Sequence, residues 1–385
     1  MTSQAGASVV IVGGGVTGLS AGWWLARAGI DVLVLEKGVV GWEASGRNGG
    51  GTTHATSPLF AEEQRLWPQM DELLGYPTEF RPHRIRIALT EAQHAQLPRL
   101  AANAAHHGLL AEPLDRKALR ELVPHVADSA AGALFYHFGG HANPQRTVQA
   151  YAWALQDHGG RILQHTAVTG IERRGGRAVA VHTTGGTFGL DTLVLAAGPQ
   201  TGRLAALVGA DLPLAIARAE MIVTEPLPPM RHGGVDGHGL YGRQTLRGNL
   251  AYGGGPHEWQ DEPGGPPGAD TAAKPASPLA RNIARRLVEL FPRAAHARVI
   301  RSWAGVVENT PDGRPVIDRL EDPDNVVLAT MSSVGFGLSP ACGRAIMEIV
   351  LQRRCGFADL SSLRLARFAG VPPDWRARRG WTPIP

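Results

Sequence analysis

Cysteine is almost missing from this chain: Cys342 and Cys355 are the only two in 385 residues, and neither belongs to a CxxC pair or a Cys/His cluster. That excludes a disulfide-stapled scaffold and a structural zinc, and it fits a reducing compartment, so a cytoplasmic protein is expected. Long apolar runs are missing as well. No window approaches the roughly 18 consecutive apolar residues of a membrane span, and no transmembrane segment is expected. Residues 1–8 are small and polar, and the apolar stretch after them is broken by Gly13, Gly14 and Gly15, which makes a poor signal peptide. Neither charge sign dominates: 38 Lys and Arg face 34 Asp and Glu, a net +4, and the arginines are scattered. Nucleic acid is therefore not an expected partner. The 15 histidines, among them His106, His107, His137 and His141, lie at spacings that suit neither a metal site nor a triad. They read as surface or loop residues, and no metal is expected.

What is present is the composition of a folded protein, 43% hydrophobic and 19% charged. The length exceeds what one core usually serves, so two lobes with a ligand cleft between them are expected. Residues 9–12 read as a buried parallel strand, 16–28 as a helix and 30–35 as the next strand. Further strands are expected at 84–89, 161–164, 178–183, 191–196, 216–224, 250–253, 299–303 and 326–329. Helices are expected through about residue 122, at 145–158, at 279–290 and from about 340 to 351. The glycine- and proline-rich segment 253–278 reads as a mobile loop, and 371–385 as a surface tail.

Gly13-Gly14-Gly15-Val16-Thr17-Gly18 satisfies GxGxxG between a strand and a helix. Gly13 permits the tight turn, Gly15 lets backbone approach a pyrophosphate, and Gly18 allows helix to pack on strand. The unpaired N–H groups at the helix N-terminus, beginning with Val16 and Thr17, then face the phosphates. Glu36, followed by Lys37, ends the second strand, where a carboxylate can accept from both ribose hydroxyls. A glycine turn that binds nothing would leave Glu36 unexplained. A second glycine-rich loop runs from Gly41 through Ser45, Gly46, Arg47, Asn48, Gly49 and Gly50 to Gly51. A nicotinamide dehydrogenase has no need of it there, whereas FAD, a longer dinucleotide, needs a longer cradle.

With these segments the chain resembles the D-amino-acid oxidase-type FAD-dependent oxidoreductases, the group containing glycine oxidase, sarcosine oxidase and the proline, hydroxyproline and amine dehydrogenases. Thr166-Ala167-Val168 resembles the family's adenine-side strand, and Leu193 to Gly198 its second FAD strand, with Ala197 and Gly198 at the cofactor. Trp303-Ala304-Gly305, Thr310 to Pro315, and Gly335-Phe336-Gly337-Leu338-Ser339-Pro340 resemble its C-terminal signature. The resemblance runs from about residue 8 to 353 and implies an α/β fold: a discontinuous Rossmann-type FAD-binding domain (1–80, 144–212 and 300–370) with a second α+β substrate domain (81–143 and 213–299). It implies oxidation of a C–N bond in a D-amino, N-alkyl or cyclic amino acid or a related amine. A hydride passes to flavin N5, the imine then hydrolyses, and oxygen or an electron-acceptor protein takes the electrons. A glycine turn feeding a helix suits the negative charge of a reduced flavin, which makes Gly335, Gly337 and Leu338 candidates for that contact.

The departures bear on mechanism. Gly305 stands where sarcosine oxidases carry a flavin-linked cysteine, and Asn48 near where other relatives carry a flavin-linked histidine, so non-covalent FAD is expected, with His54 close enough to matter. Gly337 and Val307 stand where relatives anchor the substrate carboxylate, and no lysine lies near Ala251 to assist oxygen. Arg243, Tyr241 and His54 are the substrate candidates that remain; the catalytic residue is not readable. Two other readings stay open. One is an FAD-carrying subunit of a hetero-oligomeric dehydrogenase, and the other is a flavin-binding protein without catalysis. A flavin reductase using NAD(P)H would show a second GxGxxG and a CxxxxC, and neither is present.

Overall fold

The computed structural model describes residues 3–54, 56–255, 257–260 and 274–381. Two sheets organise the chain. In the first, of eight strands, Ser3–Val12 lies centrally and pairs in parallel with Val32–Leu35 on one side and Gly186–Leu195 on the other. Arg161–Leu163 and Val326–Thr330 extend it in parallel, Val316–Arg319 adds an antiparallel edge, and the hairpin Val168–Arg174 with Arg177–Thr183 joins Gly186–Leu195. Strands covered on both faces need unbroken apolar sequence. Val9 to Val12 and Val32 to Leu35 supply it, each at most 5% exposed.

Helices Val16–Arg27, Pro144–Asp157 and Gly335–Gln352 cover one face. Their apolar stripes, with Leu19, Trp23, Tyr151, Leu155 and Ile346, close over Ile11 and Val34. Burying each such side chain contributes about 1.5–3 kcal/mol. The opposite face packs Val10, Leu33 and Leu195 against Val181, Phe188, Leu204 and Val306.

The second sheet has nine strands. Its long pair, Ala215–Pro226 with Val299–Asn309, is antiparallel over nearly the whole length. The strand Val299–Asn309 therefore belongs to this sheet, although the sequence reading grouped residues from 300 onward with the first lobe. Glu258–Gln260 pairs with the start of Ala215–Pro226, and Asn249–Gly254, Leu240–Gln244, Val235–Gly237, Arg81–Ala88, Gly132–His141 and Ala111–Leu114 complete the order, with one parallel step between Val235–Gly237 and Arg81–Ala88. Helix Ser277–Leu290 seals one face, setting Ile283 and Leu287 among Ile85, Ile222 and Tyr252.

Four readings are corrected. The helical stretch to residue 122 is broken into Glu91–His94, Leu97–His106 and Arg116–Leu122 by the strand Ala111–Leu114, and the ten-residue strand Gly132–His141 is absent from the sequence expectations. Its glycines and histidines hide the alternation that marks a strand. The last long helix starts at Gly335 rather than near Pro340, which lies inside it. Proline there removes one donor, that to the Phe336 carbonyl, and buried side chains tie this turn to its neighbours: Trp67 Nε1 donates to Gly337 O at 2.7 Å, Ser20 Oγ to Ser339 O at 2.7 Å and Trp24 Nε1 to Pro340 O at 3.0 Å. Of the expected surface tail 371–385, the part up to residue 381 is docked on the body of the protein, and 382–385 lie outside the described residues. Trp375 is buried, Trp381 stacks on Trp259 of the second sheet at 4.6 Å, and Arg376 donates to the Leu214 carbonyl at 2.6 Å. In the segment 253–278, Glu258–Gln260 forms a strand, whereas residues 256 and 261–273 of the expected loop lie outside the described residues. Among the described residues no helix is long and apolar enough to cross a membrane.

Candidate functional site

The first strand ends at Gly13, whose φ of +114° side chains rarely adopt; a Cβ there would also lie 2.3 Å from the Ala196 carbonyl oxygen. Gly15 caps the helix Val16–Arg27 without a side-chain bond, which leaves N–H groups of the first turn for a ligand. Ser45 Oγ, from the second glycine loop, accepts from Val16 N at 3.0 Å and ties that loop to the helix start. Glu36 is buried and accepts from Gly14 N at 2.7 Å and Gly38 N at 2.8 Å. Burial pushes its carboxyl up, against the pull of those two N–H groups and Lys37. Lys37 in turn pairs with Glu43 at 2.9 Å.

These groups line one elongated cavity. Gly13, Gly15, Val16, Thr17, Glu36, Lys37, Ser45 and Asn48 form its first wall; Val168 at a strand start, Ala197 and Gly198 after a strand and Gly335 at a helix start come to it from later in the chain. Val12, Leu35, Ala167 and Val306 make the surfaces between apolar. Glu308 also borders it and was not found from sequence. It is buried, accepts from Thr330 Oγ1 at 2.9 Å and Met331 N at 3.2 Å, and is pushed up by that burial. A lone acid in a β-branched strand carries no signal of its own.

The remaining candidates do not line this cavity. Gly18 packs the helix on the strand: a Cβ would lie 2.0 Å from the Gly13 carbonyl oxygen. Gly46 sits against Gly41 in the same way, at 2.4 Å. Arg47 points to the second sheet, donating to Ala304 O at 2.7 Å and also to Trp42 O, while its own carbonyl accepts from Trp303 Nε1 at 2.8 Å. Leu338, expected at the cofactor, is fully buried in the helical core and borders neither cavity, because the helix has already turned it inward. Gly337 lies in the first turn of that helix, not in a loop, and borders a second cavity with Gly49 and Gly50.

That second cavity adjoins the first, since Asn48, Ser333 and Phe336 border both. Its floor is the loop from Asn48 to His54, and its roof belongs to the second sheet: Arg84, Gly140, His141, Gly234, Asp236, Tyr241 and Gly242. Backbone bonds clamp floor to roof, with Thr52 N on Gly140 O at 3.0 Å and Ala142 N on Gly50 O at 2.9 Å. Of the three substrate candidates, Tyr241 and His54 border the cavity. Burial pushes the Tyr241 phenol up to about 12, so it stays a donor at neutral pH. His54 Nδ1 lies 2.9 Å from Glu63 Oε1, a buried carboxylate whose Oε2 has no partner among the described residues. Arg243 is buried behind the floor, donating to Gly49 O at 3.0 Å, and does not border either cavity. Burial lowers its guanidinium to about 10, which leaves it charged at neutral pH. Arg84, Asp236 and His141 were missed. His141, read as a loop histidine, is 3% exposed.

An apolar trench with glycine turns, a helix start and an acid fits a dinucleotide, and a polar chamber adjoining it fits a small second ligand. Comparison with known proteins agrees. Residues 8–349 match the DAO family, FAD dependent oxidoreductase. The beta chain of sarcosine oxidase from Rhizobium meliloti (strain 1021) is 29% identical over 379 residues, covering 94% of this chain and 88% of that protein. Glycine oxidase of Geobacillus kaustophilus (strain HTA426) is 28% identical, covering 94% and 97%. The crystal structure of glycine oxidase from Geobacillus kaustophilus matches with a TM-score of 0.84 at 26% identity over 94% of this chain and 98% of that one. L-amino acid deaminase from Proteus myxofaciens shares the fold, with a TM-score of 0.85 at 23% identity over 95% of this chain and 94% of that one.

Proposed function

The chain belongs to the DAO family of FAD dependent oxidoreductases, the amino-acid and amine oxidases and dehydrogenases, and from that premise we propose that it oxidises the C–N bond of a D-amino, N-alkyl or cyclic amino acid or a related amine. The observation that carries the reading is the junction of the two cavities at Asn48, Ser333 and Phe336, which puts a polar chamber against the end of a dinucleotide trench. FAD, when bound, supplies the acceptor for a hydride leaving the carbon α to nitrogen.

The protein's own share is binding and orientation. Gly13, Gly15, Val16, Thr17, Glu36, Lys37, Ser45, Asn48, Val168, Ala197, Gly198 and Gly335 hold the cofactor, while Gly18, Gly46, Arg47, Gly49 and Gly50 shape the two glycine loops. Tyr241 and His54 face the substrate, Gly337 leaves room for the His54 ring, and Arg243 fixes the floor at Gly49. Sheet membership supports a cofactor lobe of residues 1–80, 144–212 and 310–370 around a substrate lobe of 81–143 and 213–309. Non-covalent attachment is supported by the cofactor trench, whose lining includes neither a cysteine nor a histidine among the described residues. Two unpaired cysteines support a reducing compartment such as the cytoplasm.

The test is to denature the purified protein and see whether the yellow colour leaves, then to titrate it anaerobically with D-amino acids, N-methyl amino acids, prolines and polyamines. Bleaching by one class is the expected result; a flavin that no amine bleaches overturns the reading.

A second reading, an FAD-carrying subunit that passes electrons to a partner, is favoured by similarity to the beta chain of sarcosine oxidase and to one of the subunits of opine oxidase, both from Rhizobium meliloti. Exposed Val299 and Ile300 on the long strand of the second sheet are consistent with it. Turnover only with an added acceptor would select it.

A further inference from the structure

Beneath the floor of the second cavity an acid stands where a core residue belongs. A turn closed by Ser57 N on His54 O at 2.9 Å leads into the helix Phe60–Leu66, whose buried residues Phe60, Glu63 and Leu66 recur at helical spacing. Two of the three are apolar and join the core. Glu63 is the exception: its side chain is wholly buried, and among the described residues Oε2 has no partner and Oε1 meets only Nδ1 of His54, at 2.9 Å. Taking a carboxylate out of water is costly unless a partner answers it, so a buried glutamate whose one partner is a histidine points to a use for that histidine.

The helix packed over this pair makes room for it. A Cβ at Gly337 would lie 2.1 Å from Cε1 and 2.5 Å from Nδ1 of His54, and 2.8 Å from Glu63 Oε1. A carboxylate can only accept, so Nδ1 carries the ring proton and Nε2 keeps a lone pair. Nε2 has no hydrogen-bond partner among the described residues, and the side chain, 20% exposed, borders the cavity. An acid that fixes the tautomer and an open Nε2 are the two parts of a general base.

Neighbouring groups leave that role to His54. Glu62, on the same helix as Glu63, is taken up by Arg65 and Arg344. On the roof, Arg84 and Asp236 pair with each other. Burial first, and then the surrounding guanidiniums, hold His141 down to about 3, while burial raises the Tyr241 phenol to about 12 and is the main cause that raises the Cys342 thiol to about 12. Those three are neutral at neutral pH.

We propose that His54 Nε2 takes a proton from the ammonium group of the substrate, with Glu63 positioning the ring and stabilising the imidazolium that forms. Near neutral pH an amine is largely protonated and has no lone pair to expel a hydride from the adjoining carbon. In the step, an N–H bond of the ammonium breaks, its electron pair stays on nitrogen, and the proton forms Nε2–H. The amine is then neutral, and the hydride transfer that follows, with its acceptor, is that of the oxidoreductase reading, on which this proposal rests.

The test is the pH dependence of anaerobic flavin bleaching in the FAD-saturated protein, between about pH 5 and about pH 10, at low concentrations of whichever of D-alanine, sarcosine, proline and putrescine bleaches fastest. The wild-type rate is expected to fall on the acid side as one group takes up a proton. His54→Gln should lose that limb and run at least about 100-fold slower at neutral pH, its rate climbing toward the pKa of the amine itself, about 10 for a simple amine. Glu63→Gln should keep the limb but move it to lower pH, because an amide does not stabilise the imidazolium. Absorbance of bound flavin reports folding, and if His54→Gln loses it, the position of the limb in Glu63→Gln decides. Nitrogen-15 NMR of histidine-labelled protein gives a readout without turnover: the ring missing from His54→Gln should show a protonated Nδ1 and a bare Nε2. A His54→Gln variant as fast as the wild type, a limb that Glu63→Gln leaves in place, or the opposite tautomer overturns the base while the oxidoreductase reading stands. If no amine bleaches the flavin, that reading itself fails and the base with it.

Discussion

The dinucleotide trench and the chamber beside it are built on opposite plans. In the trench the key contact, Gly14 N to Glu36, spans 22 residues and lies within one strand–helix–strand unit. In the chamber the key contact, Arg84 to Asp236, spans 152 residues and exists only because two strands of the second sheet happen to pair. The trench is made largely of backbone and of missing side chains, and the chamber of charged side chains on a roof. A backbone cradle is specified by local geometry and tolerates little change. A side-chain roof can be rewritten one residue at a time while the sheet stays intact, which suits the part of an enzyme that chooses the substrate.

The contrast can be broken or sharpened by mutation. The largest effect is expected from Gly13→Val, which puts a side chain at a positive φ and into the Ala196 carbonyl. Flavin bound per chain, read from absorbance, should fall more than about tenfold, and the protein should lose on the order of 2–3 kcal/mol. Retention of full flavin would mean the trench is not a backbone cradle. Glu36→Ala comes next. It removes an acceptor for Gly14 N and Gly38 N and should weaken FAD by about 10- to 100-fold, read by titration of the apoprotein with FAD. Unchanged FAD affinity would mean that Glu36 does not hold the trench in shape for the cofactor.

The third prediction concerns the chamber and pH. His141 is held at about 3 against an ordinary 6.5, so between those values the unfolded chain binds a proton that the folded protein refuses. Its contribution to stability is complete above pH 6.5 and is lost as the pH falls toward 3, at about 1.4 kcal/mol per unit. Urea unfolding at pH 6.5 and pH 5 should show the wild type losing roughly 2 kcal/mol more than His141→Gln over that interval. Equal slopes would mean the imidazole is not buried beside those guanidiniums. The smallest effect is expected at the end of the chain: Trp381→Ala removes the stack on Trp259 and should cost about 0.5–1.5 kcal/mol by thermal unfolding without touching flavin content.

Much of the trench could be read in advance because its elements are consecutive. A β-branched run, three glycines, a helix, a second strand and Glu36 carry their own register, and the second glycine loop follows directly. The helix start was read near Pro340 because proline favours the first turn, whereas the helix begins at Gly335 and carries Leu338 into the core, away from both cavities. Arg243 was a fair candidate by position on its strand, but the direction of its guanidinium depends on Gly49, which is 194 residues away in sequence. His141 lay in a glycine-flanked stretch that resembles a turn, and only its pairing with the strand Arg81–Ala88 made it a roof.

The sequence by itself determined the family, the first sheet's central strands and the dinucleotide trench, because hydrophobic period, glycine turns and a nearby acid act over short stretches of chain. The tertiary structure decided which charged groups meet in the chamber. Electrostatic surroundings depend on distance and burial, and neither is a property of any one segment: Arg84, Asp236 and His141 border one cavity only because the second sheet closes over the loop from Asn48 to His54.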